Sequence, residues 1–374
     1  MFDRFLKKVI TYRDRLIEGK TNCIPLPFER TKAFIPGLVR ARNVIVTANS
    51  GVGKTNFTKF LYIFWPFLWC RENNVSYTGF YFALEESREE FVASAASFFL
   101  HHFYKIRIDV DTLLSMNGVF DEEILNALRD LEPLMTEFLE VVDVQDNISN
   151  PTGILKHLET FAKENGKIFT KIIKVKNEDN ELEEVEVFDR FEATDPEAYW
   201  IAVTDHVSLL QQESGLSLHQ TITRFSAEYG RKKITKKYGF LFVAVQQQSA
   251  ASEAKEYNNK GEVIFDKIEP SLSDLADNKF TQRDAHLVWG VFAPDRYGIE
   301  TYRGWNIAHL EDNYRSIQII KNRNGRSNIR ISTYFDGAVN FFKELPQIKD
   351  KFIDGLASDN WYQKFKVNKE FWIK

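Results

Sequence analysis

Ala48-Asn49-Ser50-Gly51-Val52-Gly53-Lys54-Thr55 follows the β-branched run Val44-Ile45-Val46-Thr47 and precedes a stretch that reads as a helix beginning near Lys54. A strand, a glycine-containing loop and a helix start, in that order, make a phosphate cradle. The glycines let the backbone curl so that successive N–H groups face one anion. The helix start adds the positive end of its dipole. The pattern is a Walker A loop with Ala in its first position, and strand and helix flank it as the motif requires. Asn49, Ser50, Gly51, Val52, Gly53, Lys54 and Thr55 are therefore candidate ATP-binding residues. Lys54 has the reach for the β- and γ-phosphates, and the Thr55 hydroxyl suits Mg²⁺. The bland alternative, a chance glycine-rich turn, has no use for that flanking strand and helix.

Such a loop needs a carboxylate for the metal and another for the attacking water. Trp200-Ile201-Ala202-Val203-Thr204-Asp205 ends an apolar run on an acid, so Asp205 is the candidate metal partner. Phe82-Ala83-Leu84-Glu85 places Glu85 at the end of the strand that follows the loop's helix. Read from residues alone, Glu85 and Glu86 equally suit the acidic first turn of a helix.

Farther out, apolar runs alternate with helical stretches. Runs at 78–84, 141–144, 200–204 and 240–245 are separated by helical patterns at 122–139, 152–164 and 219–237. Buried strands with helices between them predict an α/β fold, a mostly parallel sheet with helices on both faces. After Leu287 the spacing shortens, and the runs 316–321 and 329–334 read as antiparallel strands. Residues 167–197 hold a β-hairpin with turn residues Asn177 to Asn180. Lysines 171, 174 and 176 enter it and glutamates 183, 184 and 186 leave it, which suits cross-strand pairing. A solvated surface insertion is the expectation. Residues 2–18 carry Phe2, Phe5, Leu6, Val9, Ile10, Leu16 and Ile17 on one helical face, with Gly19 as a stop. A Pro-containing connector runs on to residue 36. The organisation expected is thus a helix and connector (1–36), an ATPase core (37–345) and an aromatic, Lys-rich tail (346–374).

The 374 residues are 44% hydrophobic and 27% charged, the composition of a folded globular chain. With 49 basic against 53 acidic side chains the net charge is −4, so any nucleic-acid contact must use a local patch. Two cysteines, Cys23 and Cys70, exclude a disulfide framework and fit a reducing cytoplasmic setting. The longest apolar run, 60–70, is too short to span a bilayer. The basic cluster Arg231 to Lys237 reads as a solvated helix face. The seven histidines show no metal-ligand spacing, and His206 is expected to pack beneath Asp205.

Taken together these motifs resemble the motor domain of DnaB-type replicative helicases, within the RecA-like P-loop ATPases. The likeness runs from the first helix to about Leu345. Phe-Ala-Leu-Glu85 stands at the family's catalytic glutamate, and Thr204-Asp205-His206-Val207-Ser208-Leu209-Leu210 at its Walker B strand and turn. Gln247 matches a residue that senses the γ-phosphate. Ser273-Asp274-Leu275, with Asp284-Ala285-His286-Leu287-Val288, resembles the segment carrying a central DNA loop. Lys321-Asn322-Arg323-Asn324-Gly325 is similar to the family's Lys-x-Arg-Asn-Gly, whose Lys and Arg enter the neighbouring subunit's ATP site. The first helix and Ile24-Pro25 resemble the linker by which one subunit grips the next. The resemblance implies ATP hydrolysis with Mg²⁺, a homohexameric ring, 5′→3′ travel on single-stranded DNA in replication, and primase or a helicase loader as partners. No membrane partner is implied. The catalytic set is Glu85, Lys54, Lys321, Arg323 and Gln247. Lys255, Lys260 and Lys279 are the expected DNA contacts.

Departures from the pattern accompany the likeness. The family's large N-terminal domain, the usual platform for primase, is not in this stretch. The hairpin and the tail are extra. In the DNA loop, Ala276, Asp277 and Lys279 stand where the family has Arg, Glu and Gly. A recombinase-like filament ATPase and a non-translocating ATP-binding scaffold are the alternatives.

Overall fold

The computed structural model describes residues 2–116, 118–176, 182–249, 254, 257 and 263–345. Thirteen strands occur there: β1 (Asn43–Ala48), β2 (Tyr77–Ala83), β3 (Val142–Gln145), β4 (Gly166–Lys176), β5 (Leu182–Ala193), β6 (Tyr199–Asp205), β7 (Leu241–Gln247), β8 (Leu287–Phe292), β9 (Thr301–Tyr302), β10 (Trp305–Asn306), β11 (Tyr314–Asn322), β12 (Ile329–Asp336) and β13 (Phe341–Glu344). Nine form one sheet in the order β13-β12-β11-β8-β1-β7-β6-β2-β3. The pairings from β8 through β3 are parallel. Those of β11 with β8, β12 with β11 and β13 with β12 are antiparallel. This is the mostly parallel α/β core with antiparallel strands on the C-terminal side that the sequence pattern predicts.

Every residue of β1 and β6 is buried, which is why these strands read as unbroken apolar runs. Successive side chains serve two cores. Tyr77, Tyr81 and Ala83 of β2 join the cluster built around Phe57, Phe64, Phe91 and Phe138. Phe80 and Phe82 join the one built around Trp200, Phe225 and Phe240. Phenylalanines therefore concentrate on the two faces of the central sheet.

The helix read at 219–237 is present but not uniform. An α-helix, Leu218–Arg224, opens with a Ser217 capping box and passes into a wider π-helical stretch, Phe225–Lys237. At Gly230 this stretch lies so close to β7 that an added Cβ would meet the Phe242 ring at 2.8 Å. Its basic cluster is partly engaged, since Arg231 pairs with Asp284 at 2.9 Å.

The hairpin β4–β5 forms as expected, and of the predicted charge pairs Lys174–Glu184 closes at 3.6 Å. Lys171 instead takes Asp189, because Val187 lies opposite it. The turn residues 177–180 fall outside the described residues, as does the tail 346–374. The first helix, Phe2–Ile17, has no buried residue. Its apolar face stays open, with Phe2 at 69% and Phe5 at 59% exposure. Arg4 and Arg15 reach Asp189 and Glu197 near the hairpin base. Among the described residues, no helix is long and apolar enough to cross a membrane.

Candidate active site

Parallel strands bring their carboxyl ends to one edge, where the loops between strand and helix form a crevice. Four such ends converge here. Ala48 of β1 pairs with Gln247 of β7, and Ala83 of β2 pairs with Asp205 of β6. The resulting cleft, about 540 Å³, is lined among others by Ser50, Gly51, Gly53, Lys54, Thr55, Tyr81, Glu85, Glu86 and Asp205. The P-loop curl uses Gly51 at φ 67° and Gly53 at φ 95°, conformations that cost a side chain dearly. A Cβ on Gly53 would also meet the Phe335 ring at 3.0 Å.

The loop is braced from beneath. Arg315 of β11, 1% exposed, donates from Nε to the Val52 carbonyl at 2.7 Å and from Nη2 to Asp312 at 2.8 Å. Its guanidinium lies 4.4 Å from the centre of the Phe335 ring. Asn49 is buried and donates to the Tyr297 hydroxyl at 2.5 Å.

Asp205 is 2% exposed. Its Oδ2 accepts from the Tyr81 hydroxyl at 2.8 Å, while Oδ1 is buried with no hydrogen-bonding partner among the described residues, as is the Thr204 hydroxyl. A buried, unpaired carboxylate oxygen is costly unless something binds it. An oxygen donor set of that kind, beside the Thr55 hydroxyl, fits Mg²⁺ carrying part of its water shell.

Glu85 and Glu86 are separated by their surroundings. The Glu85 side chain is 56% exposed and stands 3.8 Å from His206 Nε2. Burial and the Lys54 charge hold His206 below the usual imidazole range, so at neutral pH it leaves the Glu85 charge uncancelled. Glu86 is pinned to Lys59 at 2.6 Å. Lys59 is itself buried and also donates to Ser94 at 3.2 Å. Burial raises the Glu86 carboxyl above its ordinary range, with Lys59 opposing the shift. Glu85 thus stands exposed in the cleft, whereas Glu86 is tied to Lys59 through Oε2 and keeps a buried Oε1 with no hydrogen-bonding partner among the described residues.

The three glutamines of β7 and its end divide the same way. Gln246 binds the carbonyls of Ala276 and Asn278 at 2.5 and 3.0 Å, and Gln248 binds Thr47 and Ser271. Gln247, pointing to the other face, has no side-chain hydrogen bond among the described residues.

Lys321 and Arg323 are not in the cleft. Lys321 pairs with Val288, which pairs with Ile45. From that register Arg323 lies some five residues short of Ala48 along the strand direction, about 16 Å at strand rise. Lys321 stands level with the middle of β1 and Arg323 level with its N-terminal end, both away from their own P-loop. Lys321 Nζ donates to the Gln282 carbonyl and Arg323 Nη2 to the Arg283 carbonyl at 2.9 Å. Lys279 is exposed, on the turn that follows Asp277. Lys255 and Lys260 lie outside the described residues.

Sequence reasoning missed Tyr81, Lys59 and Arg315. Lys59 directly precedes the apolar run Phe60–Phe64, which was the available signal for it, since such a charge stays buried only when paired; Arg315 lies among the polar residues of β11, which gave none.

No family model matches this sequence, and no curated protein matches it. Solved structures do. The chain aligns with a structure described as the ATPase domain of another protein at 15% identity and a TM-score of 0.59, covering 91% of this chain and 99% of that one. It aligns with a DnaB-like replicative helicase, solved to show its interactions with primase, at 16% identity and a TM-score of 0.58, covering 90% and 68%. The fold is that of DnaB-type helicase motor domains.

Proposed function

We propose that this chain is an ATP-hydrolysing motor of the DnaB-helicase type, assembled as a homohexameric ring that moves 5′→3′ along single-stranded DNA during replication. The observation that carries the reading is the convergence of Lys54, Thr55, Glu85 and the unpaired Oδ1 of Asp205 on one cleft, within this fold.

The P-loop N–H groups and Lys54 bind the nucleotide phosphates. Thr55 and Asp205 hold Mg²⁺, which when bound neutralises charge on the β- and γ-phosphates. Tyr81 orients the Asp205 carboxylate through Oδ2. Glu85 orients a water and takes its proton. Gln247, beside the P-loop strand, reports whether a γ-phosphate is present. Lys321 and Arg323, too far from their own P-loop, complete the site of the next subunit and stabilise transition-state charge. The open face of the first helix supplies the grip between subunits. Lys279 contacts the DNA backbone, and so do Lys255 and Lys260. Primase or a loader is the expected further partner.

A mixing experiment tests the shared site. Lys54→Ala and Arg323→Ala are each expected to be inactive alone. Mixed before assembly, they create interfaces where an intact P-loop meets an intact Arg323, so part of the ATPase activity returns. Self-mixed controls restore nothing. Mixed assemblies that demonstrably form yet stay at the parental level would refute action in trans.

A further inference from the structure

Most phenylalanines fill the core; Phe280 does not, at 47% exposure. It stands on the turn between Leu275 and the short helix Thr281–Asp284, and that turn is firmly held. Asn278, 2% exposed, donates to the His219 carbonyl at 2.9 Å and the Thr223 hydroxyl at 2.6 Å. Its Oδ1 accepts from the Phe280 backbone N–H at 2.8 Å. Gln246 binds two carbonyls of the turn and accepts from the Thr281 hydroxyl at 2.7 Å. The ring therefore projects from a fixed backbone, not from a floppy loop.

Its neighbours are cations. Lys279 beside it is exposed, and the Arg283 guanidinium lies 4.6 Å from the ring centre. The His219 ring packs edge-on at 6.0 Å. The adjacent carboxylates are occupied. Asp284 is tied to Arg231 and Ser226, and Asp277 accepts from the Ser208 hydroxyl. A rigid, half-exposed aromatic with two exposed cations beside it, and with the Asp284 charge compensated by Arg231, has the chemistry that strand-binding proteins use. Bases stack on the ring and phosphates meet the charges.

We infer that Phe280 is a stacking platform for a base of single-stranded DNA, flanked by Lys279 and Arg283 as phosphate contacts. The inference rests on the proposed DNA-translocating function and adds to it a contact with the bases themselves. The Arg283 guanidinium over the ring and the exposed Lys279 next to it in the chain favour this occupant over an apolar protein surface.

The full chain, with a non-hydrolysable ATP analogue and Mg²⁺, is titrated with fluorescent oligo-dT and with the same strand made abasic. For the wild type the abasic strand binds more weakly. Phe280→Ala weakens oligo-dT binding by at least about 5-fold, since each platform that holds a base contributes about 5- to 150-fold, and closes the gap between the two strands. Its salt slope is unchanged, whereas Lys279→Ala lowers the slope by about 0.7 for each subunit whose lysine meets the strand. Phe280→Trp keeps the gap, which separates stacking from misfolding. Equal binding of both strands by wild type, or a Phe280→Ala protein that still prefers bases, overturns the inference and leaves the motor reading standing. A wild type that binds neither strand overturns both.

Discussion

Lys59→Met tests how the acids of the cleft are kept apart. Lys59 is 4% exposed, and its carboxylate partner among the described residues is Glu86, whose side chain is 19% exposed. Removing one member of a buried pair leaves the other charge without compensation and costs about 3–5 kcal/mol. For 374 residues, an unfolding entropy of about 2.1 cal/mol/K per residue gives about 0.8 kcal/mol/K. The expected fall in thermal midpoint is therefore about 4–6 °C. The loss depends on pH. The Glu86 carboxyl is already raised above 4.5 by burial, and without Lys59 it rises further. A carboxyl raised in the folded state contributes its stability below the unfolded value and loses it as pH rises through the folded one. The midpoint deficit of Lys59→Met should thus be smaller at pH 5 than at pH 8. Lys59→Met combined with Glu86→Leu should recover most of the loss, since an apolar replacement of a buried pair is close to neutral. Differential scanning calorimetry at the two pH values reads all three proteins. A deficit independent of pH, with a double variant no better than the single, would refute the reasoning.

Glu85→Gln should bind ATP normally yet hydrolyse it about 10²–10⁴-fold more slowly in a phosphate-release assay; normal turnover there with a dead Glu86→Gln would exchange the two roles. Ile10→Asp on the open helix face should shift the light-scattering mass toward monomer, because no residue of that helix is buried in its own subunit. A midpoint that falls with no change in mass would instead place the helix on its own subunit. His286 is held down to about 4 by burial, Arg42 and Arg323, so it contributes stability above pH 6.5 that is lost as pH falls toward 4. Urea midpoints across that window should show the loss, and His286→Asn should flatten it.

What could be read in advance follows from what local pattern encodes. The buried parallel strands were legible within a residue or two because both faces of β1 and β6 are covered, so nothing polar interrupts them. The helix start at Lys54 was legible because a glycine-rich turn must lead into it. Less came through where the determining contact is remote. Arg315 braces Val52 from 263 residues away, and Tyr81 reaches Asp205 across 124. The β2 tyrosine reads only as an aromatic in a strand until β6 is laid beside it. The hairpin charges were legible as opposed clusters, but not their register, which sends Lys171 to Asp189. The apolar face of the first helix was plain from spacing. What it packs against was not, since no segment within the described chain buries it.

The proposed role of Lys321 and Arg323 in a neighbouring subunit's site, with Arg323 level with the N-terminal end of β1, has a consequence for symmetry. A surface that offers an arginine and a different surface that receives one cannot be matched by a two-fold axis. Copies joined this way stack head to tail, each related to the next by the same rotation. Each added copy completes one site and offers one new half. An open chain of copies always ends with a P-loop that lacks its arginine at one terminus and an arginine with nothing to meet at the other. Only when the rotation returns to its start are all halves matched, and the number of complete sites then equals the number of subunits.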